Sequence, residues 1–78
     1  MDAIKIKRAE DRARTELLEA TIALARETDR NISAVCRAAG VSRRWFYRFR
    51  DGDFDRPAMA RVIRLHRVLR GLPAEAAA

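Results

Sequence analysis

Hydrophobic residues recur along this chain at intervals of three and four residues, which is the spacing of an amphipathic helix. The clearest stretch lies between Arg8 and Glu27, where charged residues occupy the other side and no glycine or proline intervenes. Its apolar positions are Ala13, Leu17, Leu18, Ala20, Ile22, Leu24 and Ala25. The pattern predicts a first helix with a supporting role.

Two shorter helices are predicted on either side of Gly40. Asn31 is a suitable N-cap for a helix over residues 32–39, and Ser42 is a suitable N-cap for a helix over residues 43–50. Gly40 suits the position after the first of them, because a left-handed backbone conformation is readily adopted there only by glycine.

A last helix is predicted from about Pro57 to Arg70. An acid at Asp55 and a proline in the first turn are typical of a helix start, and Gly71 is typical of a helix end. The apolar positions of this helix are Ala58, Met59, Val62, Ile63, Leu65, Val68 and Leu69.

No segment alternates polar and apolar residues in the manner of a strand. The pattern therefore predicts an all-α fold, a compact four- to five-helix bundle. The bundle is expected to occupy residues 10–71, with a loose basic arm or a frayed terminus at residues 1–9 and a frayed tail at residues 72–78. At 78 residues the chain is one domain near the lower size limit for a single core.

The apolar residues around Gly40 fall where two crossed helices would touch. They are Val35, Ala39, Val41, Phe46 and Phe49. Cys36 is the small residue that faces the partner helix, and Gly40 permits the bend. These features predict that the bundle contains a helix-turn-helix, in which the first helix braces the second and the second lies in the major groove of DNA.

The positive charge of the chain is unevenly distributed. The formal net charge is +6, yet residues 10–29 carry six acids against three arginines. Residues 30–50 carry six arginines and no acid, and residues 56–70 add five arginines without an acid. Basic residues that served solubility alone would be mixed more evenly with acids. A polyanion is therefore the expected partner, nucleic acid first and an anionic membrane surface second.

The second helix of the pair divides into two faces. Phe46 and Phe49 point inward, with Trp45 at the edge. The opposite face consists of Arg44, Tyr47, Arg48 and Asp51, spaced i, i+3, i+4 and i+7.

Arg44 and Arg48 are the predicted base readers, because a guanidinium fork matches the O6 and N7 acceptors of guanine. The alternative is that some of these arginines contact only phosphate, which positions the protein without specifying sequence. The pattern gives as DNA-contact candidates Ser42, Arg43, Arg44, Tyr47, Arg48, Arg50 and, more weakly, Arg56.

Other conspicuous residues favour structural roles. Trp45 is expected at the edge of the core, with stacking or a contact to the DNA backbone as the alternative. Cys36 is expected to be a small buried hydrophobe, and His66 a surface or interface residue. The arginines of the last helix are expected to form a solvated face, with a phosphate contact by Arg61 near the helix start as the alternative; they are Arg61, Arg64, Arg67 and Arg70.

The composition gives no support for an enzyme. One histidine, one cysteine and scattered acids supply no nucleophile–base pair, metal cluster or phosphate loop, so no cofactor, metal or small-molecule ligand is expected. A single cysteine also excludes an intrachain disulfide. The chain has no signal-peptide pattern or membrane span, and we expect a cytoplasmic protein, nucleoid-associated or acting in a host cytoplasm, without a membrane partner.

From Val35 to Asp51, and again from Gly52 to Leu69, the sequence resembles the Cro/repressor-type helix-turn-helix family of phages and bacterial regulators. The segment Ala-Gly-Val-Ser-Arg-Arg-Trp-Phe-Tyr-Arg-Phe carries the turn and the recognition helix. The resemblance covers roughly residues 12–70 and implies an all-α domain that commonly binds operator DNA as a dimer. A weaker similarity is to the DNA-binding head of the tetracycline-repressor family, whose long ligand-binding domain has no room in this chain.

The resemblance also implies a phosphate contact at the start of the bracing helix. The family often has a glutamine there, where this chain has Asn-Ile-Ser, so Asn31 and Ser33 are the candidate substitutes.

Two classes of function follow from these observations. The first is a sequence-specific regulator of transcription, most simply a small phage-like homodimeric repressor on a palindromic operator in double-stranded DNA. The alternative is a basic helical adaptor that docks on an acidic protein partner, which would lack a steep dependence of DNA affinity on salt.

Overall fold

A computed structural model describes residues 3–75 of the chain, with side chains from residue 8 onward. It contains four helices: α1 (Ala3–Glu27), α2 (Ile32–Ala39), α3 (Arg43–Arg50) and α4 (Met59–Leu69). No strand occurs within the described residues. The predicted all-α bundle is confirmed, with four helices.

The core lies where the four helices meet. Helix α4 packs against α1 and α2, and α3 in turn packs against α1 and α2. The buried apolar residues are Ala25, Val35, Cys36, Ala39, Trp45, Phe46, Phe49, Val62, Leu65, Val68 and Leu69. Both short helices around Gly40 thus contribute three of these side chains each, as the pattern of apolar positions predicted.

Helix α1 begins earlier than predicted. Its first residue is Ala3 and not Arg8, so residues 3–9 continue the helix and do not form a separate loose arm; residues 1 and 2 of the predicted arm lie outside the described residues. The physical reason is that no glycine or proline interrupts this stretch. A helix that is already nucleated by packing extends at little cost.

The buried face of α1 also differs from the predicted one. Ala13 and Ala20 are exposed, whereas Thr21 is fully buried beside Ala25. The Thr21 hydroxyl donates a hydrogen bond to the carbonyl oxygen of Leu17 at 2.6 Å, which satisfies the polar group inside the core. The apolar periodicity missed Thr21 because its side chain is polar.

Helix α4 begins at Met59, two residues later than predicted. Ala58 is the N-cap and has an extended backbone, with φ −62° and ψ 112°, and no side chain caps the helix. Phe54 packs against the core and Pro57 is half-buried. These contacts hold the segment between α3 and α4 in a non-helical path, and α4 begins only after it.

The segment after α4 is ordered by local contacts and is not frayed over residues 72–75, contrary to the prediction. The Gly71 and Leu72 amides donate to Val68 O and Arg67 O, each at 2.9 Å, and Arg67 Nε donates to Pro73 O at 2.7 Å. Ala74 packs against the core. The remainder of the predicted tail, residues 76–78, lies outside the described residues.

None of the helices in the described part of the chain has both the length and the apolar character that crossing a membrane requires.

Candidate nucleic-acid interface

The turn between α2 and α3 has the predicted caps. Asn31 Oδ1 accepts a hydrogen bond from the Ala34 amide at 3.0 Å, and Ser42 Oγ accepts one from the Trp45 amide, also at 3.0 Å. Each cap satisfies a backbone donor that the first turn of the helix leaves free. Three residues therefore join α2 to α3, with both helix starts fixed by side chains.

Gly40 ends α2 in the left-handed conformation predicted for it, with φ 71°. The Gly40 amide donates to Arg37 O at 3.3 Å and the Val41 amide donates to Cys36 O at 3.0 Å. This pair of bonds is a Schellman motif, which closes the C-terminus of a helix and turns the chain away from it. The direction of α3 is set by this closure.

The inner face of α3 is locked into the core by aromatic side chains. Phe46 is 0% exposed and Phe49 is 2% exposed. The Trp45 ring stacks on the Phe49 ring with a centroid separation of 5.1 Å, and on the Phe54 ring with a separation of 5.7 Å. Trp45 was predicted at the edge of the core, and its burial and stacking confirm a structural role.

The opposite side of α3, here called the α3 outer face, consists of Arg44, Tyr47, Arg48 and Asp51, and all four are exposed. The cap Ser42 and its neighbour Arg43 are exposed at the N-terminal end of the same helix. The structure thus brings together five of the candidate residues that sequence analysis selected on one helix. The Tyr47 ring makes an edge contact with Phe46 at 5.6 Å.

Two arginines of α3 rest on aromatic rings. The Arg48 guanidinium carbon lies 4.8 Å from the centroid of Phe54, and the Arg50 guanidinium carbon lies 4.8 Å from the centroid of Tyr47. Arg50 is half-buried, and its Nε lies 3.5 Å from Asp51 Oδ1. Arg50 is therefore engaged by neighbours on its own helix, whereas Arg48 contacts a ring from the following segment.

Three other arginines close the C-termini of helices. Arg64 Nε donates to Ala39 O at 2.9 Å, at the end of α2. Arg26 Nε donates to the carbonyl oxygen of Arg50 at 3.2 Å, at the end of α3, and an Arg30 terminal nitrogen donates to Val68 O at 3.2 Å, at the end of α4.

These contacts correct the prediction of a solvated arginine face on α4. Arg64 and Arg67 are half-buried and both donate to backbone carbonyl oxygens, whereas Arg61 and Arg70 are exposed. The sequence pattern missed these roles because both acceptors, Ala39 O and Pro73 O, lie outside α4.

The remaining candidates belong to parts of the chain other than α3. Asn31 and Ser33 are exposed at the N-terminal end of α2, where Asn31 serves as the cap. Arg56 belongs to the segment between α3 and α4 and lines a cleft together with Asp11 and Arg14 of α1.

Two titratable side chains, Cys36 and His66, have environments that shift their pKa values. Cys36 is buried as predicted, and this burial raises the pKa of its thiol, although the positive charge of Arg43 acts in the opposite direction. Partial burial lowers the pKa of His66, and the charge of Arg70 lowers it further. Within the described part of the chain, no three acids, histidines or cysteines lie together as a metal site.

Comparison with known proteins returns no matching family model, no matching curated protein and no matching solved structure.

Proposed function

We propose that this protein is a sequence-specific double-stranded DNA-binding regulator of transcription, acting as a small homodimeric repressor that inserts α3 into the major groove. The observation that carries the proposal is the division of α3 into two faces. Trp45, Phe46 and Phe49 anchor the helix in the core, and the α3 outer face is left exposed. A recognition helix needs this combination, since it must be held rigidly while its side chains reach base edges.

The charge around α3 supports the same function. Arg37 of α2 and the α3 residues Arg43, Arg44 and Arg48 are exposed, and no acid occurs between residues 30 and 50. The acid at the end of the α3 outer face, Asp51, is within ion-pair distance of Arg50. The other four arginines pair with no carboxylate of the described residues, and such arginines are available to phosphates and base edges.

The test is selection of bound sequences from a random duplex pool, first with the wild-type chain and then with Arg44→Ala and Arg48→Ala. Each substitution is expected to reduce discrimination at one position of the half-site by roughly 5- to 150-fold, since it removes one guanidinium fork. A palindromic selected sequence is the result expected of a dimer.

Arg12→Ala is the matched control, because Arg12 is an exposed arginine on α1, which contributes no candidate reader. It is expected to leave the selected sequence unchanged. Unchanged base preference in both Arg44→Ala and Arg48→Ala would show that the assigned reading face is wrong. A wild-type chain whose affinity for duplex DNA does not fall steeply with salt would instead favour docking on an acidic protein.

A further inference from the structure

We propose that Phe54 is a positioning residue for the Arg48 guanidinium, and that it thereby sets how strongly α3 discriminates the base that Arg48 contacts. The inference rests on the proposed DNA-reading function. It extends the reading machinery from α3 to the segment that follows it, which carries no DNA-contact candidate of its own before Arg56.

The end of α3 turns the chain back so that Phe54 reaches the helix. Gly52 has φ 79°, and its amide donates to Phe49 O at 3.1 Å. The Asp53 amide donates to the carbonyl oxygen of Arg48 at 3.0 Å. This Schellman closure places the backbone just before Phe54 directly against the residue whose side chain Phe54 contacts.

The Phe54 ring is itself anchored. It stacks on Trp45 with an interplanar angle of 27°, and Trp45 stacks nearly parallel on Phe49, at 5°. Phe49 is 2% exposed, so this series of rings begins inside the core. Phe54, half-buried, is the member of the series that reaches the Arg48 side chain.

The contact leaves the hydrogen-bonding capacity of Arg48 unused. Within the described residues, no carboxylate lies within ion-pair distance of the Arg48 guanidinium and no carbonyl oxygen accepts from it. The N–H donors of a guanidinium lie in its plane, and contact of its face with a ring leaves those donors free. Arg48 is therefore restrained and still able to donate to a base.

Restraint of this kind affects binding through conformational entropy. A free arginine side chain loses much rotamer freedom when it is fixed on a base, whereas one already held over a ring loses less. A cation–π contact at an exposed site corresponds to roughly a two- to fivefold change in an equilibrium constant. Loss of the Phe54 ring is therefore expected to reduce discrimination at the Arg48-dependent base by roughly two- to fivefold.

The experiment compares Phe54→Leu with Phe54→Tyr against duplexes that differ only at the base whose preference Arg48→Ala abolishes. Leucine keeps apolar packing against Trp45 but removes the ring, and tyrosine keeps the ring. Discrimination is expected to fall in Phe54→Leu and to be retained in Phe54→Tyr. In the Arg48→Ala background, Phe54→Leu is expected to change discrimination no further, because Phe54 acts through Arg48.

Leu17→Ala is the control that distinguishes a general loss of stability from a loss of base discrimination, because it removes a half-buried side chain of α1. This control is expected to lower the melting temperature and leave base preference intact. Equal weakening of all duplexes by Phe54→Leu, or an additional loss in the Arg48→Ala background, would overturn the inference while the DNA-binding function stands. A wild-type chain without any base preference that depends on Arg48 would overturn both.

Discussion

At the scale of the residue, the arginines of this chain have different neighbours: some donate to backbone carbonyl oxygens, Arg48 and Arg50 lie over aromatic rings, and others are exposed. Arg26, Arg30 and Arg64 donate to backbone carbonyl oxygens, whereas Arg44 is exposed on α3. A hydrogen bond from a charged donor to a backbone carbonyl oxygen stabilises the fold. The N–H groups that donate in these bonds are not available to phosphates or base edges, although the guanidinium groups keep their positive charge.

His66 provides a prediction at this scale. Its pKa is expected to lie below the usual 6.5, first because the side chain is partly buried and second because of the Arg70 charge. The folded state then binds fewer protons than the unfolded state near this pH. The contribution to stability is present above pH 6.5 and is lost as the pH falls through the lower folded-state pKa. An NMR titration of the imidazole protons measures this pKa directly.

Arg70→Gln is the informative variant for that titration. It is expected to raise the His66 pKa only in part, because burial is the larger cause and remains. In parallel, His66→Gln should lessen the decline in the free energy of unfolding as the pH is lowered through this range. A wild-type His66 pKa at or above 6.5 would contradict the assigned environment.

The residues that sequence analysis identified correctly act locally. Asn31 and Ser42 each accept a hydrogen bond from the amide three residues ahead, and Gly40 closes the helix just before it. The bonds of Arg26, Arg64 and Arg30 to carbonyl oxygens join residues 24, 25 and 38 positions apart, so no local pattern encodes them. Which guanidinium is structural depends on which helix ends lie within its reach, and this is a property of the tertiary fold.

At the scale of the element, three helices end in the same way. Gly40, Gly52 and Gly71 follow α2, α3 and α4 with φ values of 71°, 79° and 80°, and each begins a Schellman closure. One of the arginines Arg64, Arg26 and Arg30 then donates to a carbonyl oxygen in the last turn of each helix. Positive charge at a helix C-terminus is also favoured by the helix dipole.

The Arg64 bond is the sharpest test of these closures, because Arg64 belongs to α4 and its acceptor, Ala39, ends α2. Arg64→Gln is expected to lower the free energy of unfolding by about 1–2 kcal/mol, since a half-buried charge-assisted hydrogen bond is lost. Urea denaturation monitored by circular dichroism gives the value.

Arg61→Gln is the matched control, because it makes the same change of charge at an exposed position of the same helix. It is expected to alter the free energy of unfolding by less than about 0.5 kcal/mol. Equal effects of the two substitutions would mean that the charge, and not the bond to Ala39, determines the result.

The helix boundaries illustrate a second limit of sequence analysis. Periodicity located all four helices, but α1 begins five residues before Arg8, because backbone propensity continues where the apolar pattern has ended. Helix α4 begins after Pro57, because Phe54 packs on Trp45 and holds the preceding segment outside the helix. Backbone propensity and the packing of a loop residue cause these differences, and neither is visible in the spacing of apolar residues.

At the scale of the whole molecule, the fold places some arginines against backbone carbonyl oxygens and leaves others exposed on α2 and α3. Helices α1 and α4 hold α2 and α3 through the shared core, and α2 and α3 leave Arg37, Arg43, Arg44 and Arg48 exposed. The sequence predicted the bundle and the two faces of α3 because each depends on the spacing of apolar residues. It did not predict that Arg56 would line a cleft with residues of α1, since that depends on the path of the segment between α3 and α4.

The dependence of DNA affinity on salt concentration tests both whether arginines near α3 contact phosphates and how many protein chains bind the duplex. Each phosphate contact contributes a slope of about −0.9 to the logarithm of the affinity against the logarithm of the salt concentration. If Arg43 contacts a phosphate, Arg43→Gln is expected to make the slope less steep by about 1 in a monomeric complex and by about 2 in a dimeric one. Fluorescence anisotropy with a labelled duplex at several salt concentrations measures the slope.

Arg12→Gln, at an exposed position of α1, is expected to leave the slope unchanged and serves as the matched control. The mass of the complex from analytical ultracentrifugation gives the number of bound chains independently. For a homodimer, the mass must correspond to two chains and the Arg43→Gln slope must show the larger of the two expected changes. If Arg12→Gln changed the slope as much as Arg43→Gln, DNA affinity would depend on the net charge of the chain and not on the surface around α3. Proposals for recognition by the α3 outer face would then lose their electrostatic support.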